Sequence, residues 1–109
     1  MRQKEIVIVP YPFSDSDESK VRPALIVSND KYNQSSLDFI MAPLTSVLKN
    51  DAYSIFISQD NLASGELMLA SRIKANKLFS IKKSRIITKL GVLSDDKFAE
   101  VKKIIETLF

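Results

Sequence analysis

Arg22 stands directly before Pro23 and two residues after Lys20, at the head of the apolar run "PALIVSN" (23–29). A guanidinium there can hold two oxygens of one anion at once, which the point charge of a lysine cannot. The proline forces the residue before it into extended backbone. An ordinary surface arginine would satisfy the same pattern, so the pair points to anion chemistry without fixing it. A second group of cations, Lys74, Lys77, Lys82, Lys83 and Arg85, lies in "KANKLFSIKKSR" with Phe79 among them. Such a stretch can follow a nucleic-acid backbone and stack a base. It can equally be a solvated face with Phe79 turned into the core, and for Phe79 the core is the expectation. Asp15, Asp17 and Glu18 form an acidic cluster whose spacing is not that of a calcium loop, and we read it as a solvated loop tip.

Absent residue types narrow the chemistry further. The 109 residues contain no histidine and no cysteine. Imidazole acid–base pairs, Ser-His-Asp triads, thiolate nucleophiles, disulfides and His/Cys metal centres are therefore excluded, and no metal or other cofactor is expected. With only two glycines, the chain has no Gly-rich phosphate loop. A formal charge of +3 fits a polyanionic partner without requiring one. No apolar run is long enough to span a bilayer and the charged start lacks a signal-peptide core, so a cytoplasmic protein is expected.

The elements that must carry these residues are short and mostly extended. "KEIVIV" (4–9) is rich in β-branched residues and reads as a strand, with Pro10 and Pro12 preventing further regular pairing. "PALIVSN" (23–29) closes in Asn29-Asp30 turn chemistry, and "LDFIMAPL" (37–44) is a third strand. "YSIFISQ" (53–59) alternates with a period of two, Tyr53, Ile55 and Ile57 on one side. "DNLASG" reads as a turn, and "ELMLASRI" (66–73) and "IITKLGVL" (86–93) as further strands. Ser94 has the makings of an N-cap with Asp95 and Asp96 behind it, and Phe98, Val101, Ile105 and Leu108 recur at helical spacing. Length and apolar content, 45%, suit one domain over residues 1–109. The pattern predicts a mainly β fold: a small, strongly bent antiparallel sheet or partly open barrel with one C-terminal helix.

Four segments, in order along the chain, carry a resemblance. They are "KEIVIVPYPFSD" (4–15), "VRPALIVSND" (21–30), "MAPLTS" (41–46) and "IKANKLFSI" (73–81). Together they resemble the MazF/PemK family of toxin ribonucleases from type II toxin–antitoxin pairs. The resemblance implies an SH3-like barrel with a C-terminal helix and a homodimer. It implies sequence-specific, metal-independent cleavage of single-stranded RNA that leaves a 2′,3′-cyclic phosphate and a 5′-hydroxyl. It also implies a cognate antitoxin protein that covers the RNA groove. The family's catalytic arginine and threonine fall on Arg22 and Thr45, and RNA contacts on Lys20, Ser46, Lys74, Asn76 and Lys77.

Two positions depart from the family pattern. Its early Gly-Asp is Lys4-Glu5 here, and its late Arg-x-Asp is Lys74-Ala75-Asn76. Asn76 cannot take a proton, so an acid–base role at that place is excluded. Glu66, Asp15 or solvent remain as acceptors of the 2′-hydroxyl proton. Without the resemblance, Thr45 is equally a loop threonine bonded to its own backbone. Two other functions stay open: a non-enzymatic gyrase-binding toxin of the CcdB type, and a catalytically weakened RNA-binding relative.

Overall fold

A computed structural model describes residues 1–10 and 20–109; Pro12 and the acidic positions Asp15, Asp17 and Glu18 lie outside the described residues. Among the described residues eight strands and two helices follow one another. They are β1 (Glu5–Pro10), β2 (Val21–Ile26), α1 (Asp30–Ser35), β3 (Asp38–Thr45), β4 (Ser54–Ile57), β5 (Leu62–Gly65), β6 (Ser71–Lys74), β7 (Phe79–Lys82), β8 (Thr88–Leu93) and α2 (Asp95–Thr107). All pairings are antiparallel, in the order β4-β6-β3-β2-β1-β8-β5, and β7 joins β3 off that path. The architecture is a mainly antiparallel β half-barrel with a C-terminal helix.

The bend comes from β3. Its first half, Asp38 to Met41, pairs with β7, and its end, Leu44 and Thr45, pairs with β6. Strands β1 to β3 are buried on both faces, which explains why "IVIV" is continuously apolar rather than alternating. Ile6, Leu25, Ala42 and Leu44 face one core with Ile55, Ile57 and Ile73, and Phe98 and Val101 of α2 cover it. Val7, Val9, Ala24, Ile26 and Met41 face the other, joined by Phe39, Phe79 and Ile81. Phe79 is thus a core residue, as expected.

Several boundaries differ from the sequence expectation. Pro10 does not stop pairing on both sides: it is the last residue of β1, in register with Val21. Ile8 offers its carbonyl to Ile87 on the β8 side. Pro10, two residues on, turns its donor-less nitrogen the same way, past the last β1–β8 pair. The expected turn "DNLASG" is a 3₁₀ turn leading into β5. Gly65 of that strand, at φ +86°, lies in register with Gly91 of β8, and a Cβ on it would meet the Leu90 carbonyl oxygen at 2.2 Å. Both of the chain's glycines are used where two backbones meet closely. The strand expected over 66–73 is regular only from Ser71. Asn29 does more than turn the chain: its side chain accepts from Tyr32 N–H and caps α1, a second helix. Ser94 caps α2 as expected, accepting from Lys97 N–H. Among the described residues no helix is long and apolar enough to cross a membrane.

Candidate active site

Arg22 and Thr45 reach the site from neighbouring strands. The β2–β3 register pairs Ala24 with Pro43 and Leu25 with Ala42. Continued two residues along β2, the same register sets Arg22 opposite Thr45. Thr45 is in turn paired with Arg72 of β6, and Arg72 with Phe56 of β4. Directly paired residues share a sheet face, so Thr45, Arg72 and Phe56 form one row across the bent sheet.

A cleft of about 470 Å³ opens at this end of the strands, and Arg22, Thr45, Ser46 and Ser71 supply its polar lining. Val47, Met68 and Leu69 form an apolar rim, exposed by 68%, 82% and 64%. Arg22 is half-buried, and one of its terminal nitrogens donates to the Val21 carbonyl at 3.1 Å. The Thr45 hydroxyl accepts the Val47 N–H at 3.1 Å. The threonine is therefore bonded to its own loop and still has its hydrogen to donate into the cleft.

The remaining expected contacts do not line this cleft. Lys20 is exposed just before β2, and Asn76 and Lys77 are exposed beyond the end of β6. Lys74 is turned to Asp51, with its Nζ 2.8 Å from Oδ2. Glu66 is exposed and outside the cleft lining, and Asp15 lies outside the described residues. Among the described residues no carboxylate lines the cleft. The basic stretch does not form one stripe: Lys83 donates to the Asn33 carbonyl and sits 5.3 Å above the Phe39 ring, well away from Thr45 along β3.

Sequence reasoning missed the polar network behind the cleft. Arg72 is buried, 9% exposed. Its Nε donates to Ser54 Oγ at 2.7 Å, and one Nη donates to the Ser54 carbonyl and to Asn50 Oδ1. Ser54 Oγ donates onward to Asp51 Oδ2 at 3.0 Å, and Asp51 Oδ1 accepts the Tyr53 N–H at 2.8 Å. The Lys74 ammonium first, then the Tyr53 amide and the Ser54 hydroxyl, hold the Asp51 carboxyl down to about 2 from an ordinary 3.8. Period-two spacing of Arg72 and Lys74 was the available signal, since it puts both cations on one face of β6.

Comparison with known proteins decides the family. The family described as PemK-like, MazF-like toxin of type II toxin-antitoxin system matches residues 2–109. The chain belongs to this family. Among solved structures, this PemK/MazF-like toxin is similar to an endoribonuclease in complex with its cognate antitoxin from a Mycobacterial species. The TM-score there is 0.80 at 15% identity, covering 98% of this chain and 92% of that one. A MazE–MazF structure from Deinococcus radiodurans matches with TM-score 0.79 at 20% identity over 99% and 94% of the two chains. The Mycobacterium tuberculosis toxin MazF-mt6 matches with TM-score 0.75 at 17% identity over 94% and 93%. At these identities the structural likeness establishes a MazF-like fold. No curated protein matches the toxin significantly in sequence.

Proposed function

We propose that this toxin is a metal-independent endoribonuclease that cleaves single-stranded RNA at sequence-specific sites. One observation carries the reading: Arg22 and Thr45, far apart in sequence, line the same cleft. In this mechanism the 2′-oxygen of a ribose attacks the adjacent phosphorus and the P–O5′ bond breaks. The products are a 2′,3′-cyclic phosphate and a 5′-hydroxyl. The 2′-hydroxyl proton leaves to solvent or to a carboxylate, and the departing 5′-oxygen takes one from solvent. Charge grows on the non-bridging oxygens, and the Arg22 guanidinium is suited to hold two of them. Thr45 is too weak an acid to act as the base near neutral pH. It positions, donating its hydrogen to the phosphate or the 2′-oxygen. Ser46 adds a second hydroxyl, and the exposed Lys20 and Lys77 add to the chain's attraction for a polyanion.

The apolar rim of Val47, Met68 and Leu69 supports a homodimer, because a second copy of the chain would remove it from water. An antitoxin segment of acidic character would compete with RNA for Arg22 in the same cleft. The Mycobacterial endoribonuclease in complex with its cognate antitoxin supports that partner. The experiment is to incubate the purified toxin with a long single-stranded RNA in EDTA and to map both new ends. Cyclic-phosphate and 5′-hydroxyl ends at a short recurring sequence are expected. Intact RNA, or 5′-phosphate ends, would overturn the reading.

A further inference from the structure

The cations of β6 do not reach toward the cleft; they hold the loop that shapes it. This loop, residues 46–53, leaves β3 at Thr45 and returns to the sheet at Ser54. Arg72 is paired with the residue where the loop begins, Thr45, and Lys74 with the residue where it ends, Ser54. Both side chains bind the loop's return limb: Arg72 reaches Asn50 Oδ1 and Ser54, and Lys74 reaches Asp51 Oδ2. Asp51 answers both charges, Lys74 directly and Arg72 through the Ser54 hydroxyl, which accepts from one and donates to the other. At its other end the same loop presents the Val47 N–H to Thr45 Oγ1 and places Ser46 and Val47 on the cleft wall.

We propose that Arg72, Lys74 and Asp51 form an ionic clamp whose task is to position Thr45, with Lys74 acting through Asp51 rather than on RNA phosphate. The inference rests on the nuclease reading for its consequence and on the geometry of the loop for its content. A hydroxyl has one hydrogen to give. With the Val47 amide occupying one of its lone pairs, the direction of that hydrogen is restricted, and the loop sets where the amide stands. Arg72 is also buried, and its hydrogen-bond partners among the described residues are neutral, so the nearby Asp51 charge is what offsets it. Loss of Asp51 or Lys74 therefore loosens the loop without removing any group from the cleft.

Charge reversal and its compensation test this. Lys74→Asp, Asp51→Lys and the double variant are compared with wild type. Three quantities are read: the single-turnover rate at saturating RNA, the Kd for an RNA blocked by a 2′-deoxy sugar at the cut site, and hydrogen exchange at the Val47 amide. Each single variant is expected to lose about ten- to a hundredfold in rate, the scale of a small misplacement of a reacting group. Kd should stay within about threefold, Val47 should exchange faster, and the double variant, which restores the 51–74 ion pair but not the Asp51 charge beside Arg72, should recover part of both losses. Lys74→Gln, which removes the ion pair without reversing a charge, covers the case in which a reversal does not fold. The proposal is overturned if Lys74 variants weaken RNA binding, lower the salt slope by about one unit and are not rescued in the double. It is equally overturned if Val47 exchange is unchanged in every single variant. Should the wild type cut no RNA, the nuclease reading fails while the Val47 exchange pattern still decides the clamp.

Discussion

Lys4 has φ 78°, the left-handed region, at the position where the resemblance to MazF/PemK toxins sets a glycine. Its backbone is fixed from both sides: the Lys4 N–H donates to the Ile26 carbonyl at 3.0 Å and the Lys4 carbonyl accepts from Leu93 at 2.8 Å. A residue with a Cβ held there costs about 1–2 kcal/mol. Glycine removes that cost and adds about 0.5–1 kcal/mol of unfolded-state entropy, so Lys4→Gly should be more stable than Lys4→Ala by roughly 0.5–1 kcal/mol. At an ordinary strand or helix position the order is reversed by a similar amount, and the sign alone therefore decides. The lysine side chain has compensations of its own, a 2.8 Å pair with Asp95 and a place 5.8 Å from the Phe98 ring. Asp95 is exposed, so its pair with Lys4 is worth at most about 1 kcal/mol. Wild type should accordingly lie close to Lys4→Gly and above Lys4→Ala. Urea denaturation of the three proteins, repeated at high salt to screen the Asp95 pair, measures the order; in a thermal scan the gap corresponds to a few degrees. An alanine variant equal to or more stable than the glycine variant would refute the strain argument.

Other expectations follow from the site. Arg22→Lys should fold with an unchanged midpoint and lose about a hundred- to a thousandfold in single-turnover cleavage, the scale of one lost oxyanion-type donor; an unchanged rate would remove Arg22 from the mechanism. Thr45→Ala should lose less than Arg22→Lys in the same assay. With no histidine in the chain, the pH–rate profile from 4.5 to 9 should show no bell with limbs near the imidazole pKa of about 6.5, and a clear bell there would mean that a different group carries the proton. Asp51 titrates at about 2 in the folded chain, below its ordinary 3.8. Its contribution to stability is complete above the unfolded value and is lost as pH falls from about 4 through 2, so Asp51→Asn should flatten the acid limb measured by urea titration at several pH values.

What was legible in the sequence follows the burial pattern. Strands β1 to β4 and α2 announce themselves because their apolar residues are committed to a core, as Ile55 and Ile57 are in β4 and Phe98 and Val101 in α2. Strand β5 does not, because Ala63, Ser64 and Gly65 are exposed and the strand is held by backbone pairing to β8 and by the close approach of two glycines. Helix α1 is five polar residues and an exposed tyrosine, stabilised by the Asn29 cap, with Asn33 as its buried member, and gives no amphipathic period. The motif order along the chain brought out Arg22, Thr45 and Ser46. The Asp51–Ser54–Arg72–Lys74 network was hidden because its partners lie on three segments, and no local spacing links a loop aspartate to a strand arginine.

Pro23 accounts for why the cleft opens where it does. The last register pair between β2 and β3 is Ala24 with Pro43, and Pro23 precedes Ala24. The Val27 N–H donates to the Ile40 carbonyl, so Val27, Leu25 and Pro23 turn their nitrogens toward β3. The missing N–H of Pro23 weakens the β2–β3 ladder at the step before Arg22 and Thr45 would meet; Pro43 turns its nitrogen away from β2. Had it continued, direct pairing would hold the two Cα atoms at about 4.5–5.5 Å, leaving little room for a phosphate between the side chains. On the outer sides both residues remain fixed, Arg22 in register with Val9 and Thr45 with Arg72. The sheet is therefore rigid on either side of the cleft and interrupted between, so a guanidinium and a hydroxyl can face the same anion without being bonded to each other. Pro23 of "RPAL" serves the site by ending the β2–β3 ladder, and the arginine beside it and the threonine on the facing strand stand just past its last rung.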